Sequence, residues 1–323
     1  MDTNINTSTV TNPTNNVEDP ISIMIVTNSN YFHTTLTMLL SIFQSNLSDL
    51  INVYMLYSNL QESEIDSLQN FGNEYPGKAI IPIYIKAELT KHLLPKNEFP
   101  IEIYYRILGI NLLPLDLDKI LYLDVDLIVK KSIRQLYDTD VSDYAFGACE
   151  DIFGQINGLD IENHTRLSVP NDYKYFNSGV LLMNLEYLRQ NDQVNNILQN
   201  IFDNFERYYY VDQDVLNELY QDRLMYLDWS LYNCTPSIYY IDRQAISKNS
   251  LHFLCYDEIR ELINNNQFDI NRYLNLSSQI YETASIIHYV GNSKPWRYDR
   301  KESTAYEIFD KCYYEVESQI REN

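Results

Sequence analysis

The first 130 residues alternate between short apolar runs and amphipathic helical patterns. Ile21–Val26, Ile51–Tyr57 and residues 79–85 read as strands. Between them, Leu36, Leu39, Leu40 and Phe43 recur at helical spacing, and a second helix near 62–71 stops at Gly72. A third helix over 101–113 is closed by Pro114. The stretch Ile120–Val129 predicts a further strand. It puts Leu121, Leu123, Val125, Leu127 and Val129 on one face and Tyr122, Asp124, Asp126 and Ile128 on the other. This alternation predicts an α/β fold: an open, mostly parallel sheet with helices on both faces. Ligands of such sheets gather at the carboxyl ends of the strands, where Asn28, Asn30, Asp124 and Asp126 all lie.

The second half is less regular. Strands are expected over 143–150, ending in Glu150-Asp151, over Phe176–Met183, and over 285–288. A helix over 191–208 leads to Val211-Asp212-Gln213-Asp214-Val215, where Asp212 is placed to cap a helix carrying Leu216 and Leu219. Residues 301–320 read as a closing helix. Residues 1–20, polar and without aromatics, read as a disordered tail, and 240–283 give no element.

The net charge of the 323-residue chain is -21, which argues against nucleic acid and a polybasic membrane patch as main partners. An anionic ligand must then be met by a metal or by locally gathered basic residues. Cys149, Cys234, Cys255 and Cys312 are widely spaced and suggest reduced thiols in a cytoplasm. Neither a signal peptide nor an apolar run of membrane-spanning length is visible, so a soluble protein is expected.

Two carboxylates at i and i+2 on one strand face stand roughly 6.5 Å apart along the strand and repel unless a cation joins them. One reading of Asp124 and Asp126 is a divalent metal site; the other is a half-exposed strand end with solvated acids. His288 ends an apolar strand, either as a hydrogen-bonded core residue or as a third ligand. A site of two carboxylates and one imidazole suits Mn²⁺, with Mg²⁺ the alternative, both companions of a diphosphate. Gly291 and Lys294 follow, a close-approach glycine and a point charge, within the basic group Lys294, Arg297, Arg300 and Lys301. Asp151, Asn177, Asp212, Gln213 and Asp214 read either as caps and turn residues or as partners for a hydroxyl-rich ligand. Arg106, in an apolar helix, either pairs with an acid or reaches into the cleft.

Taken in order, Tyr105-Arg106, Asp124-Val125-Asp126, Tyr175-Phe-Asn177-Ser-Gly179-Val-Leu-Leu-Met-Asn-Leu185, Asp212-Gln213-Asp214-Val-Leu-Asn217 and His288-Tyr-Val-Gly291-Asn-Ser-Lys294-Pro-Trp296 resemble the motifs of family 8 glycosyltransferases. The likeness runs from about Ile21 to Arg300. It implies a GT-A fold, with a small additional sheet and a C-terminal helical segment. It divides the chain into a tail (1–20), a catalytic domain (21–300) and a C-terminal helix (301–323). Within the catalytic domain, a nucleotide-sugar half (21–130) would precede an acceptor half (131–300). It implies a retaining, metal-dependent hexosyltransferase using UDP-glucose or UDP-galactose, with a saccharide, glycolipid or glycoprotein acceptor.

The resemblance also implies roles. Asp124, Asp126 and His288 would hold Mn²⁺ against the diphosphate. Val26, Asn28 and Tyr31 would seat the uridine, with Asn30 and Val125 near the nucleotide. Gly291 and Lys294 would bind phosphate, and Arg106, Asp151, Asn177, Asp212 and Gln213 would surround the hexose. Many members carry Asp where this chain has Asn28. Some bacterial members carry a basic, aromatic tail for the membrane, which the end of this sequence does not show. Gln213, Asp212, Asp214 and Lys294 are the groups to test for catalysis. A haloacid dehalogenase-type phosphatase, or a non-catalytic sugar-nucleotide binder, are the alternatives.

Overall fold

A computed structural model of the chain describes residues 19–96, 99–156, 160–170, 172–236, 278–291, 294–297 and 307–321. Most of the expected tail, Cys255, Arg300, Lys301 and nearly all of 240–283 lie outside the described residues.

Seven strands form one sheet: β1 (Ile21–Val26), β2 (Ile51–Tyr57), β3 (Lys78–Tyr84), β4 (Lys119–Leu123), β6 (Phe146–Glu150), β7 (Phe176–Asn184) and β8 (Leu224–Leu227). Their order is β3-β2-β1-β4-β7-β6-β8. The β1–β2, β2–β3, β1–β4 and β6–β8 pairs are parallel, while β7 runs antiparallel to both its neighbours. A second sheet joins β5 (Leu127–Val129) to β9 (Ile286–His288).

Strand alternation divides the interior into two layers. Ile21, Ile23 and Ile25 of β1, Leu121 and Leu123 of β4, and Val180 and Leu182 of β7 share one core. That core includes Met38, Leu39, Ile42 and Phe43 of α1 (Phe32–Ser45) and Leu68 of α2 (Glu62–Asn73). The intervening residues Met24, Ile120, Tyr122, Leu181 and Met183 meet the other core. There they join α3 (Tyr105–Leu112), α4 (Gln193–Asp203) and α5 (Val211–Leu219). A helix–sheet–helix sandwich follows from period-2 strands buried on both faces. A closing helix, α6 (Glu307–Arg321), lies against α1. It carries Phe309, Cys312 and Tyr313 into a third core with Ile287 and Tyr289.

Three expectations need correction. Ile120–Val129 is not one strand: β4 ends at Leu123 and β5 begins at Leu127, so Asp124-Val125-Asp126 is the hinge between two sheets. The helix expected over 191–208 ends at Asp203. Asp212 is not a cap, since Tyr210 holds that position and Asp212 lies inside the first turn of α5. Among the described residues no helix is long and apolar enough to cross a membrane.

Leu121 is fully buried at the centre of the sheet, paired with Ile23 on one side and Leu182 on the other. Leu121→Ala is expected to cost about 2–5 kcal/mol of unfolding free energy, read from urea denaturation, because neighbours on both strands prevent the cavity from closing.

Candidate active site

The hinge after β4 brings the two acids together. The Asp124 N–H still donates to the Gly179 carbonyl of β7 (2.8 Å), whereas the Asp126 carbonyl accepts from the Tyr289 N–H (2.9 Å). The chain thus changes hydrogen-bonding partner within three residues. The β5–β9 register then sets Leu127 opposite His288. His288 Nε2 comes to 3.1 Å from Asp126 Oδ1 and 3.8 Å from Asp124 Oδ2. Ligand atoms of the three residues all lie within 4.8 Å of one another.

Cations and hydrogen bonds fix both carboxylates. Asp124 Oδ1 accepts from Tyr122 Oη (2.6 Å) and from Arg106 Nη2 (3.0 Å). Arg106 also pairs through Nε with Asp212 Oδ2 (2.9 Å) and donates through Nη1 to the Ser178 carbonyl (2.7 Å). Its guanidinium lies 4.4 Å from the Tyr122 ring centre. Arg106 therefore pairs with acids, one of its two expected readings. Lys294 Nζ donates to Asp126 Oδ2 and to the Tyr289 carbonyl. Burial pushes the Asp126 carboxyl up, but Lys294 and His288 outweigh it and hold the group well below the usual carboxylate range.

A chain of amides leads away from the acids. Asn177 Oδ1 accepts from the Gly179 N–H (3.0 Å) and from Asn233 Nδ2 (3.1 Å). Gln213 Oε1 accepts from the Ser178 N–H (2.9 Å) and from Asn177 Nδ2 (3.3 Å), while Gln213 Nε2 approaches Asp151 Oδ2 (3.4 Å). Val211, just before Asp212, has φ 27°, a strained value for a β-branched residue.

At the end of β1, Asn28 Oδ1 accepts from the Asn30 N–H (3.0 Å), and its amide nitrogen approaches Glu102 (3.4 Å). The Tyr31 side chain is exposed, at 37%. Partial desolvation of its hydroxyl pushes the phenol up, and the negative charges of Asp126 and Asp124 add to the rise. Val26, the last residue of β1, is partly buried, and Val125 is buried.

Arg106, Asp124, Asp126, Asp151, Asn177, Asp212, Gln213, His288 and Lys294 thus form one linked cluster. Asp214 is engaged elsewhere. Fully buried, it binds Arg166 Nη2 (2.9 Å), Tyr175 Oη (2.6 Å) and the Tyr210 N–H (2.9 Å). Gly291, at φ 77°, lies under the Phe153 ring. Sequence reasoning missed Tyr122, Ser178, Asn233 and Glu102; only Tyr122 had a signal, as the face-mate of Asp124.

The donor set fits a divalent cation. Cis ligands of an octahedral site with bonds of about 2.1 Å stand about 3 Å apart, close to the observed His288–Asp126 separation. Gly179 leaves the necessary room: a Cβ there would sit 2.2 Å from His288 Cε1 and 2.7 Å from Asp124 Oδ2. Four carboxylates (Asp124, Asp126, Asp151, Asp212) face the cations Arg106 and Lys294, leaving the cluster anionic.

The model of glycosyl transferase family 8 matches residues 22–300, and the chain belongs to that family. It is 28% identical over 265 residues to a lipopolysaccharide 1,2-glucosyltransferase of Escherichia coli, spanning 79% of this chain and 67% of that one. A putative glycosyltransferase of Haemophilus influenzae is 25% identical over 207 residues; the match covers 62% of this chain and 58% of that protein. The structure of galactosyltransferase LgtC in complex with donor and acceptor sugar analogs matches with a TM-score of 0.68 at 21% identity, over 93% of this chain and 96% of that one. The fold is GT-A and the protein is a glycosyltransferase. Membership removes the phosphatase alternative.

Gly179→Ala should displace the imidazole and weaken Mn²⁺ binding at least about tenfold, read by electron paramagnetic resonance of free Mn²⁺, with the far-ultraviolet dichroism retained. Asp212 is pushed up to about 6 by burial and by Asp124, against the opposing pull of Arg106. It binds its proton more tightly folded than unfolded. Its contribution therefore favours folding in acid and is withdrawn as pH rises from about 4 to about 6. Asp212→Asn should flatten the pH dependence of unfolding free energy across that window by about 3 kcal/mol, read by urea denaturation.

Proposed function

We propose that the protein is a metal-dependent, retaining hexosyltransferase. It moves glucose or galactose from a UDP-sugar to a saccharide acceptor, carried on a glycan, glycolipid or glycoprotein. The observation that carries this reading is the meeting of Asp124, Asp126 and His288 beside Lys294. The name of the E. coli relative supports a lipopolysaccharide-like glycan as acceptor. The buried free thiols Cys149, Cys234 and Cys312 suit a reducing cytoplasm.

In this reading Asp124, Asp126 and His288 hold Mn²⁺ or Mg²⁺, which when bound supplies Lewis-acid stabilisation of the diphosphate. Lys294 places a fixed positive charge where the leaving phosphate gains negative charge as the anomeric C–O bond breaks. Val26, Asn28, Asn30 and Tyr31 seat the uridine, the ring of Tyr31 stacking on the base. Glu102, beside the Asn28 amide, adds an anionic acceptor to that end of the crevice. Val125 lines the nucleotide and Gly291 admits a phosphate to the backbone. Arg106, Asp151, Asn177, Asp212 and Gln213 surround the hexose with the donors and acceptors that its hydroxyls need. Residues 21–130 form the nucleotide-sugar half and 131–300 the acceptor half. Retention proceeds by front-face attack, with the departing phosphate taking the acceptor's proton.

A UDP-release assay tests the assignment. Asp126→Ala should lower metal-dependent turnover by at least about 100-fold, and undiminished turnover would contradict it. In a thermal-shift panel, UDP-glucose or UDP-galactose with Mn²⁺ should raise Tm, with a gain of about 2.7 kcal/mol at a ligand concentration of 100 Kd. A melting temperature that no nucleotide moves would remove the donor assignment.

A further inference from the structure

Asn233 precedes Cys234, whose backbone bridges β9: the Cys234 N–H donates to the Ile286 carbonyl (3.1 Å) and the His288 N–H to the Cys234 carbonyl (2.8 Å). That bridge sets the Asn233 side chain, buried at 4% exposure, between two residues of the site. Its Oδ1 lies 2.7 Å from His288 Nδ1 and its Nδ2 lies 3.1 Å from Asn177 Oδ1.

The direction of every bond in this chain can be derived from one unambiguous donor. A backbone N–H can only donate, so the Gly179 N–H identifies its partner on Asn177 as the carbonyl oxygen. The Asn233 atom facing that oxygen must then be the NH₂ group, because two carbonyl oxygens would repel. The Asn233 oxygen is thereby turned to His288, so the imidazole nitrogen facing it, Nδ1, carries the hydrogen. Nε2, 3.1 Å from Asp126 Oδ1, is then the nitrogen that can give up its hydrogen and offer a lone pair to a cation set between it and the carboxylates.

We propose that Asn233 is a positioning residue that keeps a hydrogen on His288 Nδ1 with Nε2 turned toward the carboxylate pair. It thereby readies the imidazole as a ligand for a divalent cation. The proposal rests on the metal reading above and adds to it a residue that sequence motifs do not mark. The same amide joins the cation end of the crevice to Asn177 and, through Asn177 Nδ2, to Gln213. Such outer partners orient a metal-ligating imidazole, and their loss typically lowers metal affinity by about 10–100-fold.

The test uses the full chain and Mn²⁺ as probe, with UDP present, reading free Mn²⁺ by electron paramagnetic resonance. The ¹⁵N shifts of His288, assigned against His288→Gln, are read in parallel without metal. Asn233→Leu should weaken Mn²⁺ binding at least about tenfold and shift the ring toward the Nε2–H tautomer. Asn233→Asp, which keeps an acceptor facing Nδ1, should retain the wild-type tautomer and Mn²⁺ affinity within about threefold. Folded Asn233→Leu that binds Mn²⁺ like wild type, or wild-type protein whose His288 Nδ1 carries no hydrogen, overturns the proposal. Should Asn233→Leu fail to fold, the wild-type and Asn233→Asp nitrogen shifts decide it. Wild-type protein that leaves all Mn²⁺ free overturns the metal assignment instead, and the nitrogen shifts still decide whether Asn233 sets the tautomer.

Discussion

The structure is organised around the cost of holding carboxylates together where the sheet divides. Two unit charges 4 Å apart repel by about 4 kcal/mol at an effective dielectric of about 20. The ligand oxygens of Asp124 and Asp126 belong to a group spanning no more than 4.8 Å. Asp212 is held near Asp124 by sharing Arg106 with it. The compensation is local. Arg106 bridges Asp124 and Asp212, while Lys294 and His288 engage Asp126. Burial weighs against the Arg106 charge, yet its acidic neighbours hold the pKa above the ordinary arginine value. Removing one such partner leaves an uncompensated buried charge, a loss of about 3–5 kcal/mol in comparable pairs. The cations are therefore part of the fold as much as of the chemistry.

This constraint explains the architecture near the site. If β4 continued as one strand, Asp124 and Asp126 would stay roughly 6.5 Å apart along it. Breaking the strand lets Asp124 remain with β7 while Asp126 passes to β9. The small β5–β9 sheet brings in His288, and α6 holds β9 from outside. Tyr289 Oη donates to the Phe309 carbonyl (2.6 Å), and the Trp296 and Tyr313 rings pack 4.9 Å apart. The Lys294 turn is thus tied to the closing helix.

Much of this was legible in the residues, and the misreadings have physical causes. Strands β1 and β2 match the alternation of apolar residues residue for residue. The row Leu121, Leu123, Val125, Leu127, Val129 does face a single core. That row is why the stretch read as one strand: side-chain alternation reports which core is met, not which strand supplies the hydrogen bonds. Asp212 looked like a cap because acids favour that position, but the turn at Val211 starts the helix earlier. In the site, charged residues in apolar settings stood out. Asn233, Ser178 and Gly179 did not, because they act by orientation, contact and lack of bulk, for which a lone sequence offers no periodic signal.

For the retaining reaction proposed above, the occupancy of Gln213 bears on the route. A double displacement requires a nucleophile with an available electron pair facing the anomeric carbon. Gln213 Oε1 already accepts from the Ser178 N–H, Ser178 Oγ and Asn177 Nδ2, which engages the lone pairs of an amide that is a poor nucleophile at best. Asp212 is tied to Arg106, and Asp214 is closed off by Arg166 and Tyr175. With the three candidates engaged, the arrangement favours a reaction in which the protein forms no covalent bond. In the proposed reading, Gln213 Nε2 and Asp151 would hold the sugar and Lys294 would fix charge near the leaving phosphate.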